Sequence, residues 1–301
     1  MQKLLIVGSG DIARRMLPRL LGHYQVYAVV RDPEQRAVWR DRGAVPVLAD
    51  LDCPHSLRRL SGLADIVVHL APPRAAEDRS AAGGASDTRT RWLLAALARG
   101  RSLPQRIVYI STTGVYGDCA GALVDETRVL RPRTPRAARR LDAERQLRVF
   151  GCRGVVVCIL RAPGIYADDR LPLERLRKRL PALRDEDDVY TNHIHAEDLA
   201  MLTCAALRYG RSNRTYNVSD DSQLKMGEYF DLVADRFGLP RVPRVTRQEA
   251  CERLPALQLS FMSESRRLLN QRVKSELKAS LRYPRVEDGV AAACRDGSNQ
   301  C

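Results

Sequence analysis

The chain has 301 residues, 45% of them hydrophobic, and a formal net charge of +14 at pH 7. This composition can bury the core of one large domain, or of a domain with a smaller lobe, which excludes an intrinsically disordered chain. The charge suits a nucleic-acid partner, but only 5% of residues are aromatic, the basic residues are spread along the chain and no helix-turn-helix or zinc signature is present, which disfavours that partner.

The first segment, MQKLLIVGSGDIARRML, is interrupted by Asp11 and two arginines before it is long enough to span a bilayer, and it has no small-residue cleavage site. The eight cysteines show neither C-x-x-C pairing nor the density of a disulfide scaffold. We therefore expect a cytoplasmic protein with reduced thiols and no membrane partner.

Short apolar runs alternate with amphipathic segments through the first half of the chain. The predicted strands are 3–8, 26–31, 45–50, 65–71, 106–111 and 154–161. The predicted helices are 11–22, 33–42, 54–62, 86–100 and 135–150. Nearly continuous hydrophobicity is typical of strands covered on both faces. The alternation therefore predicts an α/β fold, a Rossmann-type doubly wound parallel sheet with right-handed crossovers.

After Arg161 the alternation becomes less regular. We predict strands over 189–195 and 214–219 and helices over 196–210 and 225–238. The resulting division is a dinucleotide-binding Rossmann domain (1–160), a mixed region (161–294) and a disordered tail (295–301). The mixed region is expected to form mostly a smaller C-terminal substrate lobe over the carboxyl edge of the sheet, with some elements returning to that sheet.

A G-x-G-x-x-A motif links the first predicted strand to the first helix. Gly8 permits a tight turn, Gly10 lets a pyrophosphate approach the backbone, and the small Ala13 lets helix and strand touch. The second strand that follows is the context that distinguishes this motif from a chance match, although a degenerate, empty Rossmann domain would share it. The predicted cofactor contacts are Gly8, Ser9, Gly10, Asp11 and Ile12.

The end of the second strand bears on the choice of cofactor. An acidic residue there, such as Asp32, would accept hydrogen bonds from the ribose of NAD, whereas Arg31 suits the additional phosphate of NADP. Either side chain could face the ribose, and we favour NADP over NAD.

Later segments form an ordered series of motifs: Asp50-Leu51, HLAPP (69–73), YISTTGVYGD (109–118), RAPGIYADDR (161–170), HIHAEDLA (193–200) and YNVSDD (216–221). In this order they resemble the motifs of extended short-chain dehydrogenases/reductases, the NAD-dependent epimerase/dehydratase group. The resemblance implies further cofactor contacts at Asp50, Leu51, Ala71, Pro72 and Ser111. It also implies a small-molecule substrate such as a nucleotide-sugar, and it allows a homodimer formed by the helices after the fourth and fifth strands.

In typical members of this group a Ser or Thr, a Tyr, and a Lys four residues after the Tyr carry the chemistry. Thr112 matches the first position, but Arg136 and Arg140 occupy the positions of the Tyr and the Lys. A guanidinium stays protonated and cannot shuttle a proton, although Arg140 could hold a ribose or a phosphate of the cofactor. Tyr116 is an alternative proton donor, and packing is the other interpretation of that residue.

Two functions follow from these residues. Thr112, Tyr116 and Arg161 favour an oxidoreductase or epimerase that acts on a nucleotide-sugar or another carbonyl/alcohol substrate. The two arginines, Arg136 and Arg140, favour a non-catalytic NADP(H)-binding redox sensor. The alternating histidines of HIHAEDLA have no evident third ligand, so no metal site is predicted.

Overall fold

A seven-stranded parallel sheet forms the centre of the molecule. The computed structural model describes residues 1–74 and 85–298. The strands of the central sheet are β1 (Gln2–Val7), β2 (Tyr24–Val30), β3 (Val45–Leu48), β4 (Ile66–His69), β5 (Arg106–Thr112), β7 (Val156–Ala162) and β11 (Arg214–Asn217). Their order across the sheet is β11-β7-β5-β4-β1-β2-β3. This order, with every neighbouring pair parallel, confirms the predicted Rossmann-type α/β fold.

Helices cover both faces of the sheet and build the lobe. They are α1 (Asp11–Leu20), α2 (Gln35–Asp41), α3 (Thr88–Leu97), α4 (Pro135–Gly151), α5 (Leu173–Arg177), α6 (Ala196–Tyr209), α7 (Met226–Arg236), α8 (Arg247–Arg253), α9 (Ala256–Phe261), α10 (Gln271–Leu277) and α11 (Val286–Ser298). Short 3₁₀ turns occupy Ser56–Leu60, Thr113–Tyr116 and Asp168–Arg170. No helix in the described ranges is long and apolar enough to cross a membrane.

The two faces of the sheet bury separate clusters of apolar side chains. In β1, Leu4 and Ile6 point to the face covered by α1, α6 and α10, whereas Leu5 and Val7 point to the face covered by α3 and α4. The period of two along a strand produces this division, and it explains why consecutive residues in the buried middle of a central strand are apolar.

Three short parallel strand pairs join the later segments. They are β8 (Gly164–Tyr166) with β10 (His193–His195), β9 (Ala182–Leu183) with β12 (Arg244–Val245), and β6 (Leu123–Val124) with β13 (Arg267–Leu268). A separate cluster of buried side chains, including Tyr166, Phe230 and Val290, forms the core of the lobe. By contrast, α6, β11 and α10 pack with the Rossmann layers.

The structure differs from the sequence-based expectation at three segments. Residues 54–62 contain a 3₁₀ turn and not an α-helix, and the strand predicted over 189–195 is limited to β10. Residues before β10 pair with the segment leading into α7, because the Thr191 amide donates to the Leu224 carbonyl at 2.9 Å. In the predicted tail, α11 continues to Ser298, anchored by the fully buried Val286 and Val290, and residues 299–301 lie outside the described residues.

A buried carboxylate ties α4 to the sheet. Glu144 of α4 accepts hydrogen bonds from Ser111 Oγ (2.6 Å) and from Arg161 Nε (3.1 Å) and Nη2 (2.7 Å). The side chains of Glu144 and Arg161 are only 1% and 3% exposed. Since Ser111 lies in β5 and Arg161 in β7, one carboxylate fixes the position of α4 against two central strands.

Replacement of Arg161 by Met should therefore destabilise the protein strongly. The buried Glu144 carboxylate would lose its cation, which typically costs about 3–5 kcal/mol. The free energy of unfolding from urea titrations measures the effect. The matched control is Glu174→Gln, which removes a solvent-exposed ion pair with Lys178 and should leave the unfolding midpoint nearly unchanged.

The double variant Arg161→Met/Glu144→Leu removes both charges and should recover part of the lost stability. If Arg161→Met unfolds at the same urea concentration as the parent protein, the pair does not hold α4 in place.

Candidate functional site

The loop after β1 lies directly against the loop after β4. Gly8 has a φ of +105°, and a Cβ at this position would lie 2.6 Å from the Ala71 amide nitrogen. The amides of Leu70 and Ala71 donate to the Val7 carbonyl at 2.8 and 3.0 Å, which draws the two loops together. Gly10 caps α1, and no atom lies within 4 Å of where its Cβ would be. Gly8 therefore serves the contact between loops, and Gly10 leaves open space above α1.

A cavity of about 510 Å³ occupies this carboxyl edge of the sheet. Of the predicted cofactor contacts, Gly8, Ser9, Gly10, Asp11, Ile12, Arg31, Asp50, Leu51, Ala71, Pro72 and Arg140 all line it. They follow four different strands or lie on α4, and the parallel sheet brings them together because its strands end at a common edge.

The part of the cavity that is lined by the loops after β2 and β3 contains both acidic and basic groups. Arg31 is exposed at the lining, whereas the Asp32 carboxylate accepts the backbone N–H of Glu34 at 2.9 Å within its own loop. The Asp50 carboxylate accepts the Asp52 amide at 3.0 Å, and Ser56 Oγ accepts the Asp50 amide at 2.8 Å. These local bonds hold the loop after β3 in a defined shape beside Arg31.

Arg140 approaches the cavity from α4. Its Nη1 donates to the Ile110 carbonyl at 2.8 Å and to the Tyr109 hydroxyl at 3.0 Å. The side chain is buried, so its charge lies at the end of β5 with little solvent around it. One helical turn earlier, desolvation and the charge of Arg140 lower the pKa of Arg136.

Three other predicted site residues do not line the cavity. Ser111 is buried and donates to Glu144, as described above. Thr112 Oγ1 accepts the Gly114 amide at 3.3 Å and caps the adjacent 3₁₀ turn. Tyr116 is 1% exposed and donates to Asn217 Oδ1 at 2.7 Å, while the Arg161 guanidinium lies 4.8 Å from its ring centre. Burial raises the pKa of Tyr116 to about 12, so its proton is held tightly.

Two arginines absent from the sequence-based predictions also line the cavity. Arg89 binds both oxygens of Asp52 and donates to the Pro72 carbonyl at 3.0 Å. Arg170 reaches the cavity from the lobe and forms an ion pair with Asp11. Arg89 belongs to no local sequence pattern, and Arg170 ends the RAPGIYADDR segment without a signal of its own. Only the folded chain brings them to the loops after β1, β3 and β4.

The alternating histidines are packing residues of the lobe. The ring of His193 lies 4.2 Å from that of Tyr229, and the ring of His195 lies 4.1 Å from that of Tyr283. Burial lowers the pKa of His193 to about 4, so this ring is neutral at physiological pH. Within residues 1–74 and 85–298, no group of three or more His, Cys, Asp and Glu side chains is placed to hold a metal ion.

Residues 4–219 match the sequence profile of the NAD dependent epimerase/dehydratase family. A conserved protein of unknown function from Silicibacter pomeroyi is 28% identical, with a TM-score of 0.77 over 99% of each chain. UDP-glucose 4-epimerase from Thermotoga maritima shares the fold at 18% identity, with a TM-score of 0.76 over 99% of each chain. UDP-N-acetylglucosamine 4-epimerase from Bacillus cereus does so at 16% identity, with a TM-score of 0.72 over 99% of this chain and 100% of its own. A comparison with curated proteins gave no match.

The different roles of the two glycines can be separated by substitution. Gly8→Ala should destabilise the protein by about 2–5 kcal/mol, because it combines a left-handed backbone with a Cβ pressed against the Ala71 backbone. Gly10→Ala should change the stability by less than about 1 kcal/mol, since its Cβ enters open space and only the helix cap is affected. Urea unfolding of both variants without ligand checks this contrast, which equal losses would contradict.

Proposed function

Because the chain belongs to the NAD-dependent epimerase/dehydratase family, we propose that it uses NADP(H) or NAD(H) to oxidise, reduce or epimerise a nucleotide-sugar or another carbonyl/alcohol substrate. The observation that carries this proposal is the cavity itself, which eleven of the predicted cofactor contacts line together. A dinucleotide needs such a site, because its adenosine, pyrophosphate and nicotinamide parts must meet different loops at one sheet edge.

The contacts of each part follow from the lining. The Gly8–Ile12 loop and the start of α1 would bind the pyrophosphate, because backbone amides at a helix N-terminus favour negative charge. Asp50 and Leu51 would meet the adenine, and Ala71 and Pro72 would cover the path toward the nicotinamide. Arg140 would donate to a ribose hydroxyl at the nicotinamide end, in the place of the usual lysine.

The end of β2 supports a preference for NADP. Arg31 lines the cavity, whereas Asp32 is not among the lining residues and its carboxylate accepts the backbone N–H of Glu34 in its own turn. A guanidinium offers a planar fork of donors to the 2′-phosphate of NADP, which NAD does not have.

The substrate would lie between the carboxyl end of β5 and the lobe. The bound cofactor would supply hydride chemistry at its nicotinamide. The amide of Gly114 donates to Thr112 Oγ1, so the Thr112 hydroxyl hydrogen can point to a substrate oxygen and polarise it. Arg136 and Arg140 would stabilise negative charge on that oxygen, but neither guanidinium can exchange a proton near pH 7. We therefore propose that water delivers or removes the proton.

A second candidate function is a non-catalytic NADP(H) sensor. The burial of Tyr116 and its bond to Asn217 favour this candidate, because they bind the alternative phenol proton donor into the packing of the lobe. In such a protein, cofactor binding would change the contacts between the lobe and the Rossmann domain, and a partner protein would bind one of the two resulting conformations more tightly.

Reversal of the charge at position 31 tests the cofactor preference. Arg31→Glu should weaken NADPH binding about tenfold to a hundredfold, which corresponds to the loss of a charge-assisted hydrogen bond, and NADH binding much less. Fluorescence titration of each reduced cofactor measures both affinities. Arg36→Glu makes the same charge change at a neighbouring exposed position and should affect NADPH little. Equal losses for NADPH and NADH in Arg31→Glu would remove the assigned phosphate contact.

Turnover separates the enzyme from the sensor. With NADPH or NADP and a panel of nucleotide-sugars and simple carbonyl compounds, we expect hydride exchange that Thr112→Ala lowers by at least tenfold and Thr112→Ser largely preserves, because serine keeps the hydroxyl. Absorbance of the reduced cofactor at its nicotinamide band follows the reaction. Micromolar cofactor binding with no exchange across the panel would instead support the sensor.

A further inference from the structure

Arg170 connects the lobe to the loop that begins α1. It ends the 3₁₀ turn Asp168–Arg170, which follows β8, and its Nη2 forms an ion pair with Asp11 Oδ2. The same side chain lines the cavity beside Gly8–Ile12, although it is about 160 residues away in sequence. Arg170 is thus a basic group of the lobe at the wall of a site otherwise built mostly by the Rossmann domain.

The turn that carries Arg170 is held firmly in place. The Arg170 amide donates to the Ala167 carbonyl at 2.9 Å, and Ala167 is fully buried. The preceding Tyr166 is 2% exposed and packs against Gly289 of α11, where an added Cβ would lie 2.4 Å from the Tyr166 hydroxyl oxygen. The backbone of the turn is therefore fixed, while the Arg170 side chain is one-third exposed and also lies 3.5 Å from Asp169 Oδ1.

Asp11 has a second cation that would remain if Arg170 left. Arg15 Nε lies 2.8 Å from Asp11 Oδ2, and Arg15 Nη1 lies 2.7 Å from Glu197 Oε1. Although partial burial opposes it, hydrogen bonding to Arg15 and Arg170 lowers the pKa of Asp11, so the carboxylate is charged. Arg170 can therefore move to another anion without leaving Asp11 unpaired.

We propose that Arg170 binds the pyrophosphate of the dinucleotide and thereby joins the lobe to the cofactor. The proposal rests on the cofactor site proposed above. A pyrophosphate at the N-terminus of α1 would lie near the Asp11 carboxylate, and the two would repel each other. A guanidinium between them offsets this repulsion, and its fork can bind phosphate oxygens at two points. Cofactor affinity then depends on a residue of the lobe, so cofactor binding and lobe position are coupled.

Two opposite substitutions test the assignment. Arg170→Gln should weaken NADPH binding at least tenfold, because it removes a charge-assisted contact with the pyrophosphate. Asp11→Asn removes the anion that competes for Arg170 and repels the pyrophosphate, and it should increase NADPH affinity. Arg170→Lys, which keeps the charge but loses the fork, should lie between the parent protein and Arg170→Gln. Arg177→Gln, on the exposed face of α5, is the matched control and should bind as the parent does.

Fluorescence titration gives the affinities, and urea unfolding without ligand shows whether each variant is folded. If the Arg170–Asp11 pair only fastens the lobe, Arg170→Gln and Asp11→Asn will weaken NADPH binding to the same extent, and the assignment is wrong. Unchanged binding in Arg170→Gln would also overturn it. A parent protein that binds neither NADPH nor NADH would instead refute the proposed function, a result that the titration of the parent alone distinguishes.

Discussion

The carboxylate of Glu144 is the constraint on which the carboxyl edge of the sheet depends. It takes hydrogen bonds from β5 through Ser111 and from β7 through Arg161, and Arg161 in turn lies over the ring of Tyr116. The Tyr116 hydroxyl donates to Asn217 Oδ1 at the end of β11, and the Asn217 side-chain amide donates to the Val124 carbonyl at 3.2 Å. A buried charge without these partners would be too costly to keep, so the whole group must be present together. The Glu144 carboxylate thereby fixes the position of α4 beside the cavity. Arg140 lies one helical turn before Glu144 on the same face of α4.

Arginine side chains have several distinct roles at the carboxyl edge of the sheet, and these roles account for part of the excess of basic residues. Arg161 neutralises a buried acid, Arg140 is bound to backbone and phenol oxygens, and Arg89 holds the loop after β3 through Asp52. Arg31 and Arg170 are the more exposed of the cavity arginines, and they are the ones assigned to phosphates. Within α4, Arg140 contacts the end of β5, and Arg148 donates to the Asn213 carbonyl and to Thr215 Oγ1, so part of the arginine density of this helix serves contacts with the sheet.

The parallel sheet and the glycine loop could be predicted because both depend on local patterns, whereas the other predicted lining residues after β3 and β4 and on α4 came from the resemblance to the family. Continuous apolar runs marked the strands, and the glycine motif marked the loop where Gly8 meets Ala71. The side-chain direction of Tyr116 could not be read from its motif, since the bond to Asn217 joins residues 101 positions apart. Arg89 and Arg170 were missed for the same reason, because their partners Asp52 and Asp11 are distant in sequence and no periodicity relates them. A single sequence thus shows where strands end, but it does not show which long side chains from distant segments reach the carboxyl edge of the sheet.

Members of this family usually rely on one Tyr-Lys pair both to orient the cofactor and to transfer a proton. In this chain the two requirements, orientation for hydride transfer and proton transfer, are separate because arginines occupy the matching positions. Hydride transfer requires only that cofactor and substrate be held in the right orientation, and the cavity, Arg140 and Arg170 are suited to that task. Proton transfer requires a group whose pKa lies near the working pH, and the arginines at positions 136 and 140 do not provide one. The structure does not favour Tyr116 as a replacement, because burial raises its pKa to about 12 and its hydroxyl donates to Asn217. If the cofactor binds as proposed, the reaction rate depends on how water reaches the substrate oxygen. The access of water between β5 and the lobe is then the physical variable that distinguishes the proposed enzyme from the proposed sensor.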